Sequence, residues 1–438
     1  MNVLLGSTIA IPSSVYDTTK IKEALTYDIP PRHRNDPGDI IFNYFTRGEY
    51  LHIPFGRKDL IPEGATIVDK TCSYYLEDFP DFSDEFTLRE SQSEIASRSP
   101  GSYVINAPPA FGKTFTTLAL LANWKQKALI IVHTRFLRDQ WIEEARKCLG
   151  FTPSVIGGGK FDYDKAVTVA TIQTLKKHAV SLRSKFGVVV VDETHRAHAD
   201  IFQSALNKLA PRYRVGVTAT LNRKDRREFL VTDAISRDII KVDSRENSMP
   251  LKAYFFPLGH KFELGKGWAH SVNKLYDDEE FNIGVIMAAK ALLDKGHKVL
   301  VLGDRVEALT RWNDELKYYN YKSELVVGNT TDEIRQAAIE NVNNGTYDII
   351  VGAIKIFSEG VSINSLSGLV LAHPINNKYL LEQVINRITR LREGKLNPVV
   401  IDFKLGGSLG YSQFKQRLKD YKALGASPKV LTWSVYEE

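Results

Sequence analysis

Cysteine is scarce in this chain of 438 residues, occurring only as Cys72 and Cys148. Two thiols cannot build a disulfide framework, and neither has partners at metal-ligand spacing. Long apolar runs are also missing. Blocks such as Ala128 to Val132 and Val188 to Val191 are strand-sized, far below the ~20 residues needed to span a bilayer. Met1 to Pro12 carries no basic segment and too short an apolar stretch for a secretory signal. No low-complexity tract or short-period repeat is visible. Hydrophobic residues at 43% and charged residues at 25% exclude a disordered, collagenous or coiled-coil chain. These absences lead us to expect a soluble intracellular protein of two or three domains.

Charge is present but uneven. The net value is +6, yet residues 1–100 hold ten Lys/Arg against sixteen Asp/Glu, whereas residues 101–220 hold seventeen against eight. A basic middle segment suits a polyanionic partner, and it equally suits a solvated face.

From about residue 101 short apolar runs alternate with polar loops and helical patterns. Strands are expected at Ser102 to Asn106, Ala128 to Val132, Val167 to Ala170, Val188 to Val191 and Tyr213 to Val217. Helices are expected at Lys113 to Trp124 and Phe136 to Leu149. The rhythm lapses between about Arg223 and Asn282, where prolines and glycines suggest a connector. It resumes with helices at Ile283 to Lys295 and Arg305 to Tyr318. The strands that follow are Val299 to Leu302, Ser323 to Val327, Asp348 to Val351, Leu369 to Leu371 and Val399 to Phe403. Such alternation predicts two α/β lobes, each with a parallel sheet covered on both faces. Residues 1–86 differ: acidic, rich in Pro, Tyr and Phe, with strand patterns at Tyr50 to Pro54 and Ala65 to Val68. They predict a small mixed or β-rich domain ahead of lobes at 87–245 and 246–438.

The sharpest chemical signal is Ala107-Pro108-Pro109-Ala110-Phe111-Gly112-Lys113-Thr114, set between a strand and a helix. That context suits a phosphate-binding loop. Backbone N–H groups at the helix start face phosphates, Lys113 reaches the β- and γ-phosphates, and the Thr114 hydroxyl can meet Mg²⁺. Ala107 stands at the usual first glycine, and the two prolines each remove an N–H donor. Asp192 and Glu193 follow the apolar run Val188 to Val191, at the strand end where parallel sheets bind ligands. With the loop upstream, Asp192 can hold Mg²⁺ and Glu193 can orient or deprotonate water, so the pair describes an ATPase. Thr218 and Thr220 close the next strand and are candidates to couple the nucleotide to the second lobe. There, Gln383 to Arg390 predicts a helix with Arg387 and Arg390 on one face, able to act as arginine fingers. The loop at Ser358 to Ser362 is the candidate link between nucleotide state and a partner, with Glu359 as a coupling residue and Gly360 as an ATP-binding one.

Taken in order, these segments resemble the core of a superfamily 2 helicase of the DExH type, with two tandem RecA-like lobes. The resemblance covers about residues 87–405. Leu88 to Gln92 is similar to the element whose glutamine recognises adenine, which makes Gln92 the base-reading candidate. Ala107 to Thr114 resembles motif I, Asp192 to His195 motif II and Thr218 to Thr220 motif III. Gly352 to Ile363 resembles motif V, and Gln383 to Arg390 motif VI, with Asn386 in place of a common glycine. Finer features are most like the XPB-like and phage UvsW-like DNA helicases. They are His133 to Trp141, Gly157 to Lys160, Val169 to Leu175 and the segment following Thr220. That likeness implies backbone contacts to DNA from Thr134, Arg135, Lys160, Thr171 and Gln173, a DNA-engaging domain at 1–86, and ATP with Mg²⁺. It also implies work on forked or junction DNA in replication, recombination or repair, in the cytoplasm (the host's, for a phage-encoded protein). An RNA helicase of the same superfamily and a non-hydrolysing nucleic-acid clamp remain as alternatives. The motor of a restriction-type nuclease is less suited, because the flanks carry no nuclease-like cluster of acids and lysine.

Overall fold

The structure, a computed structural model, describes residues 1–31, 38–108, 111–192, 199–219, 227–242, 249–265, 267–358, 363–390 and 392–431. The chain forms two compact units, Met1–Asp243 and Ser244–Glu438.

In the first unit, eight strands form one sheet. Their order is Lys160–Phe161, Ser154–Gly157, Val167–Thr171, Ala128–Val132, Val188–Asp192, Tyr213–Thr218, Tyr103–Asn106 and Ile239–Lys241. All neighbours are parallel except the edge hairpin made by the first two. The central strands read as unbroken apolar runs because both faces are covered. Successive side chains point to opposite sides. Thus Ile130, Val188 and Val190 pack beneath the helices Lys113–Trp124 and Arg135–Leu149. Ile131, Val189 and Val191 pack against Ile172–His178, Ala199–Leu206 and Glu228–Ile235 on the other side.

The first seventy residues build a five-stranded sheet in the order Phe45–Arg47, Tyr50–Pro54, Thr8–Pro12, Val3–Leu5 and Ile67–Asp69. A hairpin of Thr26–Ile29 with Asp39–Phe42 accompanies it. Ile9, Ile11, Leu51 and Ile53 alternate onto one face and form its core with Val3, Ile21 and Leu25. Two buried charges tie these N-terminal strands and the hairpin to the larger sheet. Asp233, fully enclosed, accepts hydrogen bonds from the Tyr27 hydroxyl at 2.8 Å and the Asn43 amide at 2.7 Å. The Arg214 guanidinium, also fully enclosed, donates to the carbonyls of Ser7, Leu206, Leu209 and Ala234. Further along, residues 72–83 run beside the large sheet, pairing backbone with Ala210, Lys125 and Cys148. Both cysteines are free thiols.

The second unit holds a seven-stranded parallel sheet. Its order is Ser323–Val326, Ile349–Ala353, Val299–Gly303, Gly368–Leu371, Val399–Gly406, Lys252–Lys261 and Lys429–Val430. Here the expected connector is corrected. Ile239–Lys241 completes the first sheet, and Lys252–Lys261, ten residues long, is a strand of the second. Pro257 is tolerated because of where its missing N–H falls. The Phe255 carbonyl points to Leu431, so by alternation Pro257 faces that same side, beyond the last paired residue of Lys429–Val430. Among the described residues no helix is long and apolar enough to cross a membrane.

Candidate nucleotide site and nucleic-acid contacts

Strand register brings the lobe 1 candidates to one edge. Asp192 pairs with Val217, and Thr218 pairs with Asn106, so Asp192, Thr218 and the start of the loop at Ala107 all leave the carboxyl end of the sheet together. The Ala107 amide donates to the Thr218 carbonyl at 3.0 Å, which fixes the loop against that strand.

Within the loop, Phe111 is fully buried and anchors it to the core. Gly112 follows in the left-handed region at φ 85°, where a side chain is strained and a Cβ would fall 2.7 Å from the Gln92 Nε2. The chain then enters the helix Lys113–Trp124, and the Thr116 and Thr117 hydroxyls bond back to the Gly112 and Lys113 carbonyls. The Lys113 ammonium curls over the loop, 3.3 Å from the Ala107 carbonyl and 3.4 Å from that of Pro108. Gln92 is buried against the loop. Its Nε2 donates to the Phe111 carbonyl at 2.6 Å, and its Oε1 accepts from the Arg89 amide at 3.0 Å. The Arg89 side chain reaches the same Phe111 carbonyl and lies over the Phe111 ring.

Asp192 ends its strand buried, and its Oδ2 accepts from the Trp141 indole at 2.7 Å. This donor set fits a magnesium polyphosphate. An ammonium folds over the loop, the helix Lys113–Trp124 opens beside it with Thr114 in its first turn, and a carboxylate is held two strands away at the same edge of the sheet. Pro109, Ala110, Glu193 and Thr220 lie outside the described residues, as do Glu359 and Gly360.

The residues expected to touch a nucleic-acid backbone divide by exposure. Arg135, Lys160 and Gln173 are exposed. Thr134 caps the helix Arg135–Leu149 by accepting from the Leu137 amide at 3.2 Å, and Gln173 donates to the His133 carbonyl at 3.0 Å. Thr171 is buried, its hydroxyl 3.2 Å from that of Thr174.

In the second unit the helix carrying Gln383 and Arg387 is Lys378–Ile388, so Arg390 lies beyond it. The expected one-face pairing of Arg387 with Arg390 is therefore corrected. The Thr389 carbonyl accepts from the Met249 amide at 3.0 Å and leaves the helix, and the Arg390 guanidinium turns to the Asn364 side chain at 3.2 Å. The helix is seated through a buried network. Arg417 binds Asp402 at 2.8 Å, the Phe403 carbonyl at 3.0 Å and the Ile375 carbonyl just ahead of the helix, while the Tyr421 hydroxyl donates to Asp402. Sequence reasoning singled out none of Arg89, Arg417 or the Trp141–Asp192 bond. Each joins distant segments, and no local spacing announces it.

Comparison with known proteins gives matches of the same kind. Residues 84–223 match a family model described as the type III restriction enzyme res subunit, and residues 284–392 match the helicase conserved C-terminal domain. The chain is 34% identical to the probable helicase D10 of Escherichia phage T5, over 88% of this chain and 86% of that protein. It is 24% identical to the DNA 3'-5' translocase XPB2 of Sulfurisphaera tokodaii, over 77% of this chain and 86% of that one. In fold it is similar to S. cerevisiae Dbp5 L327V bound to RNA and ADP BeF3, with a TM-score of 0.58, 14% identity, and 77% and 89% of the two chains covered.

Proposed function

The chain belongs to the superfamily 2 helicases, the ATP-dependent motors with two RecA-like lobes, and on that premise we propose that it is a DNA motor that remodels forked and four-way-junction DNA. The likeness to a DNA translocase along most of both chains supports the choice of DNA. The convergence of Lys113, Thr114 and Asp192 at one sheet edge supports turnover of ATP.

In this reading Lys113 and the amides opening its helix bind the ATP phosphates, and Gln92 recognises the adenine ring. Thr114 and Asp192 would hold Mg²⁺, which when bound would neutralise phosphate charge. Glu193 orients the attacking water, and Trp141 keeps Asp192 in place. Gln383, Arg387 and Arg390 are the second lobe's contribution to charge stabilisation, and Thr218, Thr220 and Glu359 couple the nucleotide to movement. Thr134, Arg135, Lys160 and Gln173 contact the backbone, with Thr171 positioning their loop, so affinity is sequence-independent and falls steeply with salt. Strand separation on matched forks of DNA and of RNA tests the proposal. DNA forks opened only with hydrolysable ATP, and lost in Lys113→Ala, are expected. Opening of RNA alone would refute the DNA assignment.

A further inference from the structure

The outer face of the N-terminal sheet carries aromatic rings that the proposed motor does not use. Phe45 and His52 are cross-strand partners, and their rings stack at 4.7 Å with only 2° between planes. His52 is held from behind by the Thr8 hydroxyl at 3.0 Å. Burial, and then the nearby Arg47, push its imidazole below the usual histidine range, so the ring is neutral at pH 7. Phe45 nevertheless remains 48% exposed and Phe42 61%, the latter edge-on to Tyr44. With Asn207 and Lys208 these rings line a cleft of about 470 Å³ between the N-terminal sheet and the end of the helix Ala199–Leu206.

Three features define what such a cleft can hold. Its walls are flat aromatic faces, and one of them is already rigid because His52 backs Phe45. Among the described residues lining it, Lys208 carries the one charge and there is no carboxylate. The Asn207 Oδ1 is buried and has no hydrogen-bond partner among the described residues. Rings for a base, an ammonium for a phosphate and an amide for a base edge are how proteins hold unpaired nucleotides. The volume lies within the range of small-ligand pockets. A duplex offers no free base face, whereas a fork or junction does at its branch point.

We propose that this cleft is a stacking site for an unpaired nucleotide at the branch point of the DNA, with the base on Phe45 or Phe42 and its phosphate at Lys208. The proposal rests on the DNA-remodelling reading, and it makes the N-terminal sheet the part that distinguishes branched from plain duplex DNA. None of its residues belongs to the ATP site.

The test uses the full chain and a forked DNA carrying 2-aminopurine as the unpaired base beside the branch, read by fluorescence quenching and by anisotropy titration without nucleotide. Quenching is expected with the wild type. Phe45→Ala should lose it and bind the fork about tenfold more weakly, while binding to linear duplex and the DNA-free ATPase stay unchanged. Phe45→Trp should retain fork binding, and Phe45→Leu should not, because Leu supplies apolar area without a π face. Phe42→Ala, read in the same way, guards against a folding effect peculiar to position 45. Full affinity in Phe45→Ala and Phe42→Ala, or full rescue by Leu, overturns the stacking site. If fork-stimulated ATPase persists in that case, the motor reading stands alone. A wild type that binds no nucleic acid at all overturns both.

Discussion

Arg214 is the tie between the N-terminal sheet and the first lobe, and replacing it is a severe test of that view. Its guanidinium is fully enclosed, and no carboxylate pairs with it among the described ion pairs. Two of its carbonyl partners, Leu206 and Leu209, lie at and just past the end of Ala199–Leu206, and Ala234 lies in the last turn of Glu228–Ile235. Arg214 therefore caps two helix C-termini, whose partial negative charge takes the place of a counter-ion. The Ser7 carbonyl and the Phe55 ring, 4.2 Å from the guanidinium carbon, bring in the N-terminal sheet. Burial pushes its pKa down to about 9, so it stays charged at neutral pH. Arg214→Met removes the desolvation cost of the charge, several kcal/mol, but it takes the donor from four carbonyls, of which only Leu206 keeps another, the Leu209 amide at 3.2 Å, so the other three lose their Arg214 donor at about 1–3 kcal/mol each. The carbonyls outweigh the relief, and a net loss on the order of 3–5 kcal/mol is expected. Arg214→Lys keeps the charge with only three donors and should fall between. Urea unfolding gives the magnitude. Hydrogen exchange gives the location, with Thr8–Pro12 losing protection before Val188–Asp192. An unchanged midpoint for Arg214→Met would refute the capping argument.

Two further outcomes follow from single contacts. Trp141→Phe removes the indole donor from Asp192, so a tenfold or greater fall in kcat with a raised Mg²⁺ requirement is expected in a Mg²⁺ titration, beside a stability loss of about 1–2 kcal/mol from the vacated volume. His373 is half-buried beside the Tyr276 hydroxyl, and desolvation pushes its imidazole down to about 4. The unfolded chain then binds the extra proton between pH 4 and about 6.5, so stability is full above that window and is lost as pH falls through it, by up to about 3 kcal/mol. Thermal unfolding of His373→Gln across that range should show a flatter slope, and an identical slope would show that this ring is not the titrating group.

The parts of the fold readable from sequence were those decided locally. Val188 to Val191 needs no partner to announce a doubly covered strand, and the loop at Ala107 to Thr114 is legible from its flanking strand and helix. What escaped depends on distant partners. Arg214 reads as one more base in a basic segment, yet it is buried and adds nothing to an electrostatic surface. Its bond to Ser7 spans 207 positions. Lys252–Lys261 was hidden by Pro257, harmless because of the side its missing N–H faces, and by Gly259, whose amide is taken by the Glu280 carboxylate at 3.1 Å. At Arg390 the helical pattern continued in sequence while the backbone turned away to pair with Met249.

The central claim is that ATP turnover is driven by branched DNA. Steady-state hydrolysis, measured without nucleic acid and with single-stranded DNA, linear duplex, forked DNA, a four-way junction and structured RNA, tests it directly, with Glu193→Gln beside the wild type. The account predicts strong stimulation by forks and junctions that the substitution abolishes. Stimulation by RNA alone, or ATP binding without turnover on any of them, would contradict it.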